Sequence, residues 1–189
     1  MIKIGITGHR NLTEECIPYY KARVREMLVK LQEEDEDTLV YSALADGADR
    51  LVVEVALELG IEYVAVLPMP KEIYMTDYDA ASQVIYNKLF DAASSVVEIP
   101  MVENNSFFSI VDYSEERDLQ YEAAGFYMSD HCDILIALWD GEYTLLKGGT
   151  SEIVKHHLSK AHYRLSHLLV ARSNGLTKDM VEFKIYENK

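Results

Sequence analysis

Cysteine is scarce in this sequence: two residues in 189, Cys16 and Cys132, far apart and in no CxxC pair. That spacing excludes a disulfide framework and a cysteine zinc site, and leaves a reducing cytoplasm as the expected compartment. Basic residues are also few, 18 Lys and Arg against 32 Asp and Glu, for a net charge of −14. Affinity for a polyanion comes largely from Lys and Arg, so the balance predicts no nucleic acid as a bulk partner. It leaves room for a small phosphate ligand held by a few local donors. No apolar run approaches the ~20 residues needed to span a bilayer, and no membrane partner is expected. A secretory signal is not expected either, because the chain reads as a strand from residue 2. Acidity gathers in Glu33–Asp37, which reads as a solvated connection between a helix and a strand.

What is present is an ordinary globular composition, 49% hydrophobic and 26% charged. The length suits one domain of roughly 100–200 residues. Ile2–Gly8 alternates as a strand. From Thr13 to Glu33, Ile17, Tyr20, Val24, Met27, Leu28 and Leu31 recur at helical steps, with Thr13 placed to cap. A strand follows over Thr38–Leu44, then a helix carrying Leu51, Val55 and Leu59 that closes at Gly60. Tyr63–Leu67 is a third strand, stopped by Pro68-Met69-Pro70. A helix is predicted over Asp77–Ala92, a short strand over Ser95–Ile99, and a loop over Met101–Ser114 long enough to serve binding. Then come a helix over Glu115–Ser129, a buried strand over Cys132–Leu138, a helix over Ser151–Ala161 and a strand over His167–Ala171. The division predicted is a domain over 1–173 and a tail over 174–189 packed on it. Alternating strands and helices imply an α/β, Rossmann-like, doubly wound sheet, mainly parallel, with helices on both faces.

The unusual sequences all fall at the carboxyl ends of strands, which form one rim in such a sheet and bind its ligands. The first is Gly8-His9-Arg10, where glycine lets a ligand approach the backbone and the guanidinium suits a phosphate. The second is Asp46-Gly47-Ala48-Asp49. One of its carboxylates would cap the next helix and the other would meet the ligand, as ribose-binding acids do; the pattern does not say which. Pro68 and Asp140 belong to two further strand ends. Gly148-Gly149-Thr150-Ser151 precedes a helix, and is read either as an anion site built on open N–H groups or as a glycine turn with a cap. Glu152 complements the helix dipole or points at the ligand. Arg117 and Tyr121 share a helix face, with Arg117 either on the ligand or in a surface ion pair. Trp139 walls the pocket or fills the core. His131-Cys132-Asp133 cannot converge on a metal from alternating strand positions, nor can the adjacent His156 and His157. No metal and no cofactor are expected.

These residues together resemble a known group. Thr7-Gly8-His9-Arg10, Ala45-Asp46-Gly47-Ala48-Asp49-Arg50-Leu51, Val66-Leu67-Pro68-Met69-Pro70 with Tyr74 and Asp79, Cys132 through Gly141, and Gly148-Gly149-Thr150 look like bacterial members of the SLOG superfamily, named for Smf/DprA and LOG proteins. The resemblance runs from residue 2 to about 171. It implies a Rossmann-like sheet that binds nucleotides or their derivatives, in sensors or in enzymes, and a homodimer. The enzymes are LOG-type phosphoribohydrolases with a Pro-Gly-Gly-x-Gly-Thr-x-x-Glu motif after a strand. Here the motif is reduced to Gly148-Gly149-Thr150-Ser151-Glu152 and stands away from the strand. Tyr121 falls near the position of the family's arginine, with Arg117 one turn earlier. Three readings follow. The first is a nucleotide-binding module that holds a phosphate at Gly8, Arg10 and the Gly-Gly-Thr turn, with His9 and Asp46 beside it. The second is an N-glycosidic hydrolase or transferase using Glu152 and Arg117 or Arg10. The third is an interaction domain with a vestigial pocket.

Overall fold

A computed structural model describes residues 1–170 and 184–188. Seven strands form one sheet in the order β4-β3-β2-β1-β5-β6-β7, with β1 Ile2–Gly8, β2 Thr38–Ser42, β3 Glu62–Leu67, β4 Ser95–Glu98, β5 Ile134–Trp139, β6 Tyr163–Leu169 and β7 Lys184–Asn188. All pairs are parallel except β6 with β7. The fold is the expected α/β, Rossmann-like one. The helices are α1 Ile17–Glu34, α2 Ala48–Glu58, the single turn α3 Lys71–Tyr74, α4 Ala80–Ala92, α5 Glu115–His131 and α6 Thr150–Leu158. Among the described residues no helix is long and apolar enough to cross a membrane.

The central strands bury both faces, as parallel strands under helices must. Along β1 and β5, Ile4, Ile6, Ile134, Ile136 and Leu138 point into the larger core with Val24 and Leu28 of α1 and Val52 and Val55 of α2. The alternate residues Leu135, Ala137 and Trp139 meet Ile153 and Val154 of α6. Val64 and Val66 of β3 meet Ala124 and Met128 of α5. Trp139 therefore fills the core under α6.

The structure departs from the periodicity where polar residues reset the chain. Asp79, not an earlier residue, caps α4: its side chain accepts from the Ser82 N–H at 2.8 Å. Tyr78 before it is extended, so Asp77 leaves the predicted helix and ends a 3-10 turn, Met75–Asp77. Thr13 makes no side-chain cap, because the turn Glu14–Cys16 intervenes and α1 begins with a proline in its first turn. β6 starts at Tyr163, four residues before the expected His167, and Ala171 lies outside the described residues. Of the tail, Lys184–Asn188 adds an antiparallel edge to the sheet; residues 174–183 lie outside the described residues.

Candidate functional site

From β1 the chain builds outward through β2, β3 and β4, then returns to the other side of β1 as β5. The connections after β1 and β5 diverge at that reversal and open a crevice. A cavity of about 270 Å³ lies there. Its floor is Thr7 and Gly8 at the end of β1, Ala43 and Ala45 after β2, and Pro68 after β3. Tyr121 and Gly125 of α5 and the turn Lys147–Thr150 before α6 face that floor.

Two glycines make this close assembly feasible. A Cβ on Gly8 would stand 2.4 Å from the Ala48 Cβ and 2.5 Å from the Leu138 carbonyl oxygen, so β1 can end there only without a side chain. Gly148 has φ +66, and a Cβ on it would meet the Glu122 backbone nitrogen at 2.8 Å, so the turn before α6 lies directly on α5. Nearby, Leu44 at the end of β2 is fully buried with φ 57. A buried leucine in the left-handed region is strained, and such strain gathers at binding sites.

The polar centre of the site is Asp77, whose carboxylate is wholly buried. Its Oδ1 accepts from Arg117 Nη2 at 2.7 Å, its Oδ2 accepts from both Arg10 terminal nitrogens at 3.2 and 3.3 Å, and the Tyr121 hydroxyl donates to it at 2.8 Å. The two arginines differ. Arg117 is saturated: it also donates to the carbonyls of Ile110, Val111 and Ile73, to Thr76 and to Tyr121. Arg10 spends its donors, among the described residues, on Asp77 alone, and lies over the Tyr121 ring with its carbon 5.6 Å from the centroid. A guanidinium carries five N–H donors, so several of Arg10's remain for a ligand.

Asp49 is the second buried carboxylate. Its Oδ2 accepts from the Ser42 hydroxyl at 3.2 Å and the Ala43 N–H at 3.0 Å, and it lines the cavity. Burial pushes its carboxyl up to about 6 against the pull of those hydrogen bonds and of Arg10. At the opposite wall, the Gly148 N–H goes to Glu152 Oε2 at 2.7 Å and the Gly149 N–H to the Leu146 carbonyl. The Thr150 N–H, first in α6, takes no partner among the described residues.

The structure thus sorts the residues read from the sequence. Gly8, Arg10, Asp49, Pro68, Tyr121, Gly148, Gly149 and Thr150 share the cavity. His9, Asp46, Gly47, Asp140, Arg117 and Glu152 do not line it. His9 accepts from the Asp140 N–H at 2.9 Å and lies 3.1 Å from its carboxylate, which fastens the β1 end to the β5 end. Asp46 holds Arg50 and the Ser82 hydroxyl, and neither it nor Asp49 caps α2; Gly47 occupies that position. Glu152 closes its own turn and presses on Glu122, whose carboxyl rises through burial and that neighbour. Arg117 is buried, not on a surface, and braces the 101–114 loop through the Ile110 and Val111 carbonyls. Asp77, Asp118, Lys147 and the loop residue Tyr113 were not singled out. The visible signals were the loop's length for Tyr113 and, for Asp118, its neighbours Arg117 and Tyr121.

Comparison with known protein families finds no match, and no curated protein matches either. Among solved structures, the chain is similar to DNA processing protein A (DprA) of Helicobacter pylori, described for its single-stranded DNA binding mode: TM-score 0.51, 16% identity, covering 92% of this chain and 67% of that one. DprA of Streptococcus pneumoniae gives a TM-score of 0.48 at 15% identity, over 84% of this chain. The chain spans 56% of the Streptococcus protein's length. The expectation that acidity rules out a nucleic acid is corrected by the Helicobacter protein, since its fold is found with a single-stranded DNA binding mode. Physically, charges beyond a Debye length of about 8–10 Å are screened, so the sum over a chain is a poor guide to what one site on it binds. The likeness to DprA is one of fold, and at that level it agrees with the SLOG resemblance.

Proposed function

We propose that the cavity binds a nucleotide unit, free or within a single strand, and holds its phosphate between Arg10 and the start of α6. The observation that carries this is Arg10: a cavity-lining guanidinium fixed by buried Asp77 with donors to spare. A helix start adds an open N–H and a favourable dipole for the same anion. Tyr113 and Tyr121 supply aromatic surface for a base or sugar. The Helicobacter protein's single-stranded DNA binding brings the strand form of the ligand into this reading. The hydrolase alternative relies on Glu152 with Arg117 or Arg10; Glu152 and Arg117 are engaged by the protein itself, which favours binding over hydrolysis.

The test is calorimetric titration with the nucleoside 5′-monophosphates, NAD, ADP-ribose and a short oligodeoxythymidine, with free base followed by chromatography. At least one ligand should bind intact, and Arg10→Ala should weaken it by about tenfold or more, the loss of a charge-assisted hydrogen bond. Binding unaffected by Arg10→Ala, or no binding by any of them, would overturn the reading. Base release abolished by Glu152→Gln would replace it with the hydrolase.

A further inference from the structure

The charges around the cavity bear on which kind of phosphate it takes. Two cationic residues line it, Arg10 and Lys147, and two anionic ones, Asp49 and Asp118. Behind this lining, buried Asp77 and Arg117 form a further pair of opposite sign. These side chains cancel, and the start of α6, worth about half a positive charge, is itself met by the Glu152 carboxylate 2.7 Å from the Gly148 N–H, so the site holds no surplus of positive charge. Such a site favours the ligand with the fewest negative charges, one of which the spare Arg10 donors can meet. A second negative charge would find no cation to answer it and would face Asp49 and Asp118 across a partly dry cavity, where repulsion is poorly screened.

We propose that the ligand presents a phosphodiester, one negative charge, as in a strand, a cyclic nucleotide or an esterified nucleotide, and not a terminal phosphomonoester, which carries about −1.5 to −2 at neutral pH. This rests on the nucleotide reading and narrows it. Lys147 and Asp118 are the residues that set the preference, since each changes the lining by one charge without touching the Asp77 network.

The experiment compares each of the four ribonucleoside 5′-monophosphates with its 5′-methyl ester at pH 7.5 and low salt, by calorimetry on the full chain. The ester of the preferred base should bind about tenfold more tightly than the parent monophosphate. Asp118→Asn should close most of that gap by strengthening the monophosphate, and added salt should narrow it in the wild type. A monophosphate bound as tightly as its ester, or better, would overturn this inference and leave the nucleotide reading standing. So would an ester preference that Asp118→Asn leaves unchanged, because the cause would then be shape and not charge. If neither compound of any pair binds, both the inference and the nucleotide reading fall for these ligands.

Discussion

The two ends of α6 treat polar groups in opposite ways. At its start, an N–H is left open beside a cavity that also holds an unsaturated arginine and a buried carboxylate. In its last turn, His157 is closed off: its Nδ1 lies 3.0 Å from the Ser129 hydroxyl and its Nε2 lies 3.0 Å from the Arg164 carbonyl. Lys160 reaches the Ser129 carbonyl in the same corner. Here α5, α6 and β6 are sewn together by side chains that find their partners inside the protein. Burial pushes His157 down to about 4 and Asp49, in the cavity, up to about 6, so each resists its charge. The difference separates a polar group that holds the fold from one left with donors to spare. The first is saturated, as Arg117 and His157 are. The second is fixed on one side and open on the other, as Arg10 is.

Substitutions can break or sharpen this contrast. The largest effect is expected from Asp77→Ala, which strips the counter-charge from buried Arg117 and from Arg10 together. A loss of about 3–5 kcal/mol in chemical denaturation is expected, as for a buried ion pair broken on one side. Gly8→Ala should cost about 1–3 kcal/mol, because its new methyl meets backbone and a fixed Cβ. Ser129→Ala, at the closed end, should cost about 1–3 kcal/mol by removing the His157 partner. Arg10→Ala should change stability by no more than about 1 kcal/mol, since its side chain is 40% exposed and Asp77 keeps Arg117 and Tyr121. Ligand binding should suffer instead. A destabilisation near that of Asp77→Ala would place Arg10 with the structural group.

The smallest effect is in the pH dependence. His157 has a lower proton affinity folded than unfolded, so it stabilises above about 6.5 and that contribution is lost as the pH falls towards 4. Asp49 is raised when folded, so its contribution is present below 3.8 and is lost as the pH rises through about 6. The two slopes oppose one another between about pH 4 and 6. Asp49→Asn should therefore make stability climb more steeply with pH over that window than in the wild type, measured as the difference between denaturation curves. A difference curve of zero slope would show that Asp49 titrates normally.

Most of the rim was legible in the sequence because a strand that stops at Gly8 or Pro68 announces its own carboxyl end. Asp77 was hidden by local pattern: it stands where helical spacing reads straight through to Ala92. Its meaning comes from Arg10 and Arg117, which are 67 and 40 residues away. Glu152 was ambiguous for the opposite reason. A carboxylate in a first turn satisfies its own helix as readily as a ligand, and here it takes the Gly148 N–H.

The sequence by itself determined the class of fold, the alternation of strands and helices, and the strand ends that border the cavity, since all three follow from periodicity and from glycine and proline. Only the tertiary structure decided which side chains are spent. Whether Arg10 or Arg117, Asp46 or Asp49 faces the cavity depends on partners brought together from distant segments, and hydrogen-bond saturation is a property of that assembly that no local spacing records.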